Sequence, residues 1–188
     1  GLDLTDASCV FTLSGSSAQN ITHAGATGST SGSNTTNYSI PDESYVESDI
    51  TLSTNLDAAD LSSVTVNISH GWAEDVDIRL YSPNNDYIDL SSDNGGSGDN
   101  YTNTVFSTSG TSITSGTPPF TGTYTPEQAF STLSGTANGT WTLRVYDDAE
   151  YVTGTINDWS LVVGTSSGPE FKNLLPIRES VPIAFDTC

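Results

Sequence analysis

The carboxylates of this 188-residue chain gather in short runs, interspersed with glycine and asparagine. Glu74-Asp75-x-Asp77 precedes an apolar alternation, Asp93 and Asp99 flank the glycines of GGSGDNYTNTVF (Gly95 to Phe106), and Asp147-Asp148 closes another alternation. Calcium chemistry asks for about six to eight oxygens from carboxylates, amide carbonyls and backbone, carried on loops able to wrap the ion. Asp75, Asp77, Asp93, Asp99, Asp147 and Asp148 are therefore the candidate metal ligands, and calcium the candidate ion. Their spacing does not follow an EF-hand loop, so the set is defined only if the fold brings strand ends to one edge. A phosphate cradle fits poorly. Gly96-x-Gly98 lacks the third glycine of a dinucleotide loop and the lysine of a P-loop, and a strand pattern follows it instead of a helix.

Catalytic constellations are thin. His23 falls in a polar, low-complexity stretch and His70 precedes a strand pattern, and no Gly-x-Ser-x-Gly elbow supplies a nucleophile. Asp147 and Asp148 are adjacent, so in a strand they face opposite sides, which is unsuited to a glycosidase pair. Trp72, Trp141 and Trp159 have the chemistry of a sugar platform, but Trp141 and Trp159 sit in the alternating apolar positions of a core. The expectation is a non-enzyme.

The elements that would position these groups are strands. LSSVTVNI puts Val64, Val66 and Ile68 on one face, and VDIRLY does the same with Val76, Ile78 and Leu80. TWTLRVY (Trp141, Leu143, Val145) and DWSLVV (Trp159, Leu161, Val163) repeat the period of two. Turn signals separate them: Ser82-Pro83-Asn84-Asn85, Asn94-Gly95, Pro118-Pro119 and Asn138-Gly139. Only Pro126–Leu133 has the look of a helical turn. About eight short strands so spaced predict an all-β antiparallel jelly-roll sandwich.

Three zones follow along the chain. Residues 1–38 hold one apolar patch, Ser8–Leu13, and then a polar linker, Thr22–Thr36. Residues 39–163 form the sandwich. Residues 164–188 begin with a second linker and end in an apolar, strand-capable tail. With 23 acidic and four basic residues the formal net charge is -19, which excludes the basic stripe a nucleic-acid partner requires. No run approaches the roughly 20 apolar residues of a membrane span. Cys9 and Cys188 stand near opposite ends. They read as a disulfide, either an intramolecular clasp worth about 4–5 kcal/mol in the chain-entropy model or a bridge between subunits. Sequons at Asn20, Asn34, Asn37, Asn67, Asn100 and Asn138 are what an Asn- and Thr-rich composition produces.

In their order, Ile40–Asp42, Ile68–Pro83, Asn94–Phe106, Thr111–Tyr124 and Ala137–Val163 resemble the P domain, or Homo B domain, of proprotein-convertase-like subtilases. The resemblance implies an eight-stranded, non-catalytic jelly roll that sits beside a subtilisin-like catalytic domain and supports its folding. It also implies a secreted or cell-surface location. Two departures bear on calcium. The acidic run common in bacterial relatives reads Ser107-Thr108-Ser109 here, and the common Gly-Asp-Thr-Gly reads Tyr151-Val152-Thr153-Gly154.

The terminal extensions lie outside this resemblance. An apolar strand on a tether must pair with a sheet edge, its own or a neighbour's. Pairing with a neighbour would make copies of the chain its own partner and would give an extracellular fibre or surface layer. That is the leading expectation from the sequence; the alternative is the accessory P domain of a secreted subtilisin-like serine protease, with the catalytic domain as partner.

Overall fold

A computed structural model of the protein describes residues 11–12, 20–21 and 28–165. In the N-terminal part, β1 (Phe11–Thr12) pairs antiparallel with β2 (Asn20–Ile21), the first within the expected apolar patch. These two short strands belong to a unit separate from residues 28–166. Cys9 and Cys188, and with them the expected disulfide and the apolar tail, lie outside the described residues.

The larger unit is all-β, with ten strands in two facing sheets. They are β3 (Gly28–Asn34), β4 (Tyr38–Ile40), β5 (Ser44–Leu52), β6 (Leu61–His70), β7 (Val76–Tyr81), β8 (Tyr87–Ser91), β9 (Tyr101–Ser112), β10 (Phe120–Thr125), β11 (Gly139–Asp147) and β12 (Gly154–Thr165). One sheet runs β10-β9-β6-β12, with β3 and β4 both bonded to the far side of β12. The other runs β5-β11-β7-β8. Every pairing is antiparallel except β9 with β10, which is parallel.

The alternation read in the sequence decides which face each strand buries. Val64, Val66 and Ile68 of β6, Ile78 and Leu80 of β7, Leu143 and Val145 of β11, and Leu161 and Val163 of β12 point inward and are shut off from solvent. Trp141 and Trp159 anchor the core, and each satisfies its indole N–H there: Trp141 Nε1 donates to the Ala137 carbonyl (3.0 Å) and Trp159 Nε1 to Ser48 Oγ (2.9 Å). Among the described residues no buried side-chain nitrogen or oxygen lacks a partner, as a packed interior demands.

One local expectation is corrected. The linker Thr22–Thr36 is not linker throughout, since Gly28–Asn34 forms β3 and pairs with Trp159–Thr165. Gly32 is what permits it: a Cβ there would overlap Ile50 and Leu52 of the facing sheet. Small residues that read as low complexity are in this case close-approach residues. The helical turn expected at Pro126–Leu133 is present as one 3-10 turn, Phe130–Thr132, which buries Phe130.

Candidate functional site

The acidic edge is assembled at one end of the four-stranded sheet. Strand β7 enters through the 3-10 turn Ala73–Asp75, β8 leaves into Ser92-Asp93-Asn94, and β11 ends at Asp147. The amide of Asp148 donates to the Asp75 carbonyl (3.0 Å), which brings the two acidic runs together.

The glycine-rich stretch supports this edge through its backbone. Gly98 and Gly96 offer carbonyls to the amides of Ala73 (2.7 Å) and Glu74 (3.3 Å), capping the turn that carries Asp75. Gly95 has φ +101°, and a Cβ there would lie 2.6 Å from Pro118 and 2.9 Å from Phe120. Only glycine fits such a position. The following strand starts at Tyr101, earlier than the TNTVF pattern marks, because Asn100 at φ 71° turns the chain while its Oδ1 accepts from the His70 amide.

The edge gathers Asp75, Asp77, Asp93 and Asp148, with Asp147 behind them. Partial burial, then the like charges of Asp93, Asp77, Asp75 and Asp147, holds the Asp148 carboxyl above its usual range. Asp75 is raised too, by burial first and by Asp147 and Glu74, with His70 acting against them. Ser92 Oγ donates to Asp77 Oδ1 (2.6 Å), and Asn94 Nδ2 donates to Glu127 Oε1 (2.6 Å). Asp99 is exposed on the glycine loop and is not among the charges acting on Asp75 or Asp148. Among the described residues, no three carboxylate, imidazole or thiol groups converge as a metal shell. The donors at the edge are oxygens of the kind calcium takes, and their mutual repulsion is what a cation would relieve; their convergence is not built in.

Asp147 is differently committed. Its side chain and that of His70 are both fully buried, and His70 Nε2 donates to Asp147 Oδ2 at 3.0 Å. The pair joins the end of β6 in one sheet to the end of β11 in the other. The second ring nitrogen, Nδ1, lies 2.7 Å from the Trp72 carbonyl and 3.3 Å from its amide nitrogen. Both nitrogens are thus occupied by a carboxylate and by backbone, and among the described residues neither is bonded to a serine or threonine. The histidine-aspartate pair serves as a tie between sheets. Sequence reasoning placed Asp147 with the metal ligands and missed this pair. The signal was present in the alternation Trp141, Leu143, Val145, Asp147, which turns Asp147 inward, where a carboxylate needs a partner.

A comparison with family models matches residues 60–163 to the proprotein convertase P-domain. The chain belongs to the P-domain family. The matched span covers β6 to β12, and β3, β4 and β5 precede it and complete the P-domain sandwich. No curated protein matches the chain. Among solved structures, the P domain is similar to the Aeromonas sobria serine protease in complex with its ORF2 chaperone, at 22% identity and TM-score 0.46. It is also similar to the serine protease of Aeromonas sobria, at 18% identity and TM-score 0.46. In both cases 72% of this chain is covered and 27% of the other, so the chain spans about a quarter of those structures' length.

Proposed function

We propose that this P domain is the accessory, non-catalytic domain of a secreted subtilisin-like serine protease, and that it packs beside the catalytic domain and stabilises it. The observation that carries the reading is the family match over residues 60–163, which lies wholly within the closed sandwich. The commitment of His70 to Asp147 and Trp72 supports a structural role for the domain's buried histidine. The fibre reading rested on the terminal strands and on Cys9 and Cys188. The cysteines and the tail lie outside the described residues, and family membership favours the accessory role over self-assembly. Calcium belongs to the proposal as a stabilising ion attracted to the like charges of Asp75, Asp77, Asp93 and Asp148 at the acidic edge.

Co-expression tests the reading. A subtilisin-like catalytic domain encoded in the same locus should be recovered as active protease in at least several-fold higher yield with residues 28–165 than without them. Equal yields, or a locus with no such domain, would contradict it. Non-reducing electrophoresis separates the two roles. An accessory domain runs as a monomer, whereas a ladder that collapses with reductant returns the fibre.

A further inference from the structure

The outward face of the four-stranded sheet carries a second, unassigned arrangement. Strand register lines its residues up in three rows across the sheet. Arg144 stands opposite Glu47 on one side and Arg79 on the other, and Arg79 stands opposite Asp89. The row on one side of these arginines is Tyr45, Tyr146 and Asp77; the row on the other is Asp49, Thr142, Tyr81 and Tyr87. The only two arginines of the sandwich therefore sit side by side between tyrosines.

Each arginine is held in place by a carboxylate and by aromatic faces. Arg144 donates to Glu47 Oε1 from Nε (2.8 Å) and Nη2 (2.6 Å) and to the Tyr81 hydroxyl from Nη1 (2.8 Å). Its guanidinium carbon lies 4.6 Å from the centroids of both Tyr45 and Tyr81. Arg79 donates from Nε to Asp89 (2.5 Å) and sits 5.5 Å over Tyr87. Like charges directly opposite in a sheet repel unless neutralised, and here each has its own carboxylate. Tyr45, Tyr87 and Tyr146 nonetheless remain 53%, 49% and 37% exposed. Open grooves flank Arg144: one of about 580 Å³ runs past Tyr81, Asn138 and Thr140, and one of about 220 Å³ lies between Tyr45, Tyr146 and Arg79.

The charge balance of this face selects the occupant. Glu47, Asp49, Asp77 and Asp89 outnumber the two arginines on a chain of net charge -19, so phosphate, sulfate or nucleic acid is repelled. No aliphatic side chain points outward from these strands, so the apolar surface of the face is chiefly tyrosine ring. What the face offers is ring surface beside fixed, planar hydrogen-bonding groups, in open grooves. That suits a ligand with C–H faces for stacking, hydroxyls in the ring plane and no charge.

We propose that the outer face of β5-β11-β7-β8 binds an extended neutral polysaccharide, with Tyr45 and Tyr146 as stacking platforms and Arg144, oriented by Glu47, as the hydroxyl-binding group. The inference is independent of the protease partner. It would hold the protein on a glycan-bearing surface.

Affinity electrophoresis of the full chain tests it, in native gels containing galactomannan, xyloglucan, mixed-linkage β-glucan or hydroxyethyl cellulose, with dextran sulfate as the anionic comparison. At least one neutral polymer should retard the protein and dextran sulfate should not. Tyr146→Ala and Arg144→Gln should each weaken retardation at least tenfold, while Tyr151→Ala, an exposed tyrosine off this face, should leave it unchanged. These side chains are outside the core, and superimposable far-UV spectra and melting curves confirm that the variants are folded. No retardation by any of the four polymers would overturn the proposal. Retardation that survives both substitutions would do the same, as would retardation by dextran sulfate alone.

Discussion

Asp147 and His70 are fully buried, so neither can be removed without stranding the other in the interior. Breaking a buried pair in this way costs about 3–5 kcal/mol. Asp147→Asn or His70→Ala should therefore lower the denaturant midpoint by a large fraction of the domain's stability, read from equilibrium unfolding. Asp75 and Asp148 behave in the opposite sense. Their carboxyls are raised above the ordinary value of 3.8 by burial and then by neighbouring charge, so the folded state keeps protons that the unfolded chain has released. Stability consequently falls as pH rises from about 4 through their raised values. In chelator, the melting midpoint should drop across that window, and Asp148→Asn should flatten the slope. Of the six carboxylates picked out as ligands from the sequence, Asp75, Asp77, Asp93 and Asp148 lie along one edge without converging as a shell. Local spacing cannot separate them from Asp147 and Asp99, because placement along one edge depends on which strand ends the sheet order brings together.

At the level of elements, the period-two alternation made the strands of the central sandwich legible. Each of the alternating runs, Val64 to Ile68, Ile78 to Leu80, Leu143 to Val145 and Leu161 to Val163, is buried as one face. What the pattern could not reveal is β3, whose GSTSGSN has no apolar residue to alternate. It is a strand because β12 offers it an edge and Gly32 lets it approach the facing sheet. The parallel β9–β10 pairing was also invisible, since side-chain alternation is the same in either direction. Two substitutions test these elements. Trp159→Ala removes a core anchor together with the bond to Ser48 and should cost about 3–5 kcal/mol. Gly95→Ala forces a side chain into a positive-φ position against Pro118 and Phe120 and should cost about 1–3 kcal/mol. Both are read from chemical denaturation.

At the scale of the whole sandwich, residues 28–165 divide their chemistry between two surfaces. One end of the sandwich crowds carboxylates around the turn capped by the glycine loop, and the outer face of the smaller sheet displays tyrosines around two neutralised arginines. The core between them is closed, and its one histidine is spent on holding the sheets together. That organisation is compatible with the accessory role proposed for this member of the P-domain family. Support has a thermodynamic signature, because a partner that binds only the folded catalytic domain raises its melting midpoint. The most direct measurement of the proposed role is therefore the thermal unfolding of a subtilisin-like catalytic domain from the same locus, with and without residues 28–165. An accessory role predicts a midpoint several degrees higher when the P domain is present. An unchanged midpoint with the P domain at saturating concentration would contradict it.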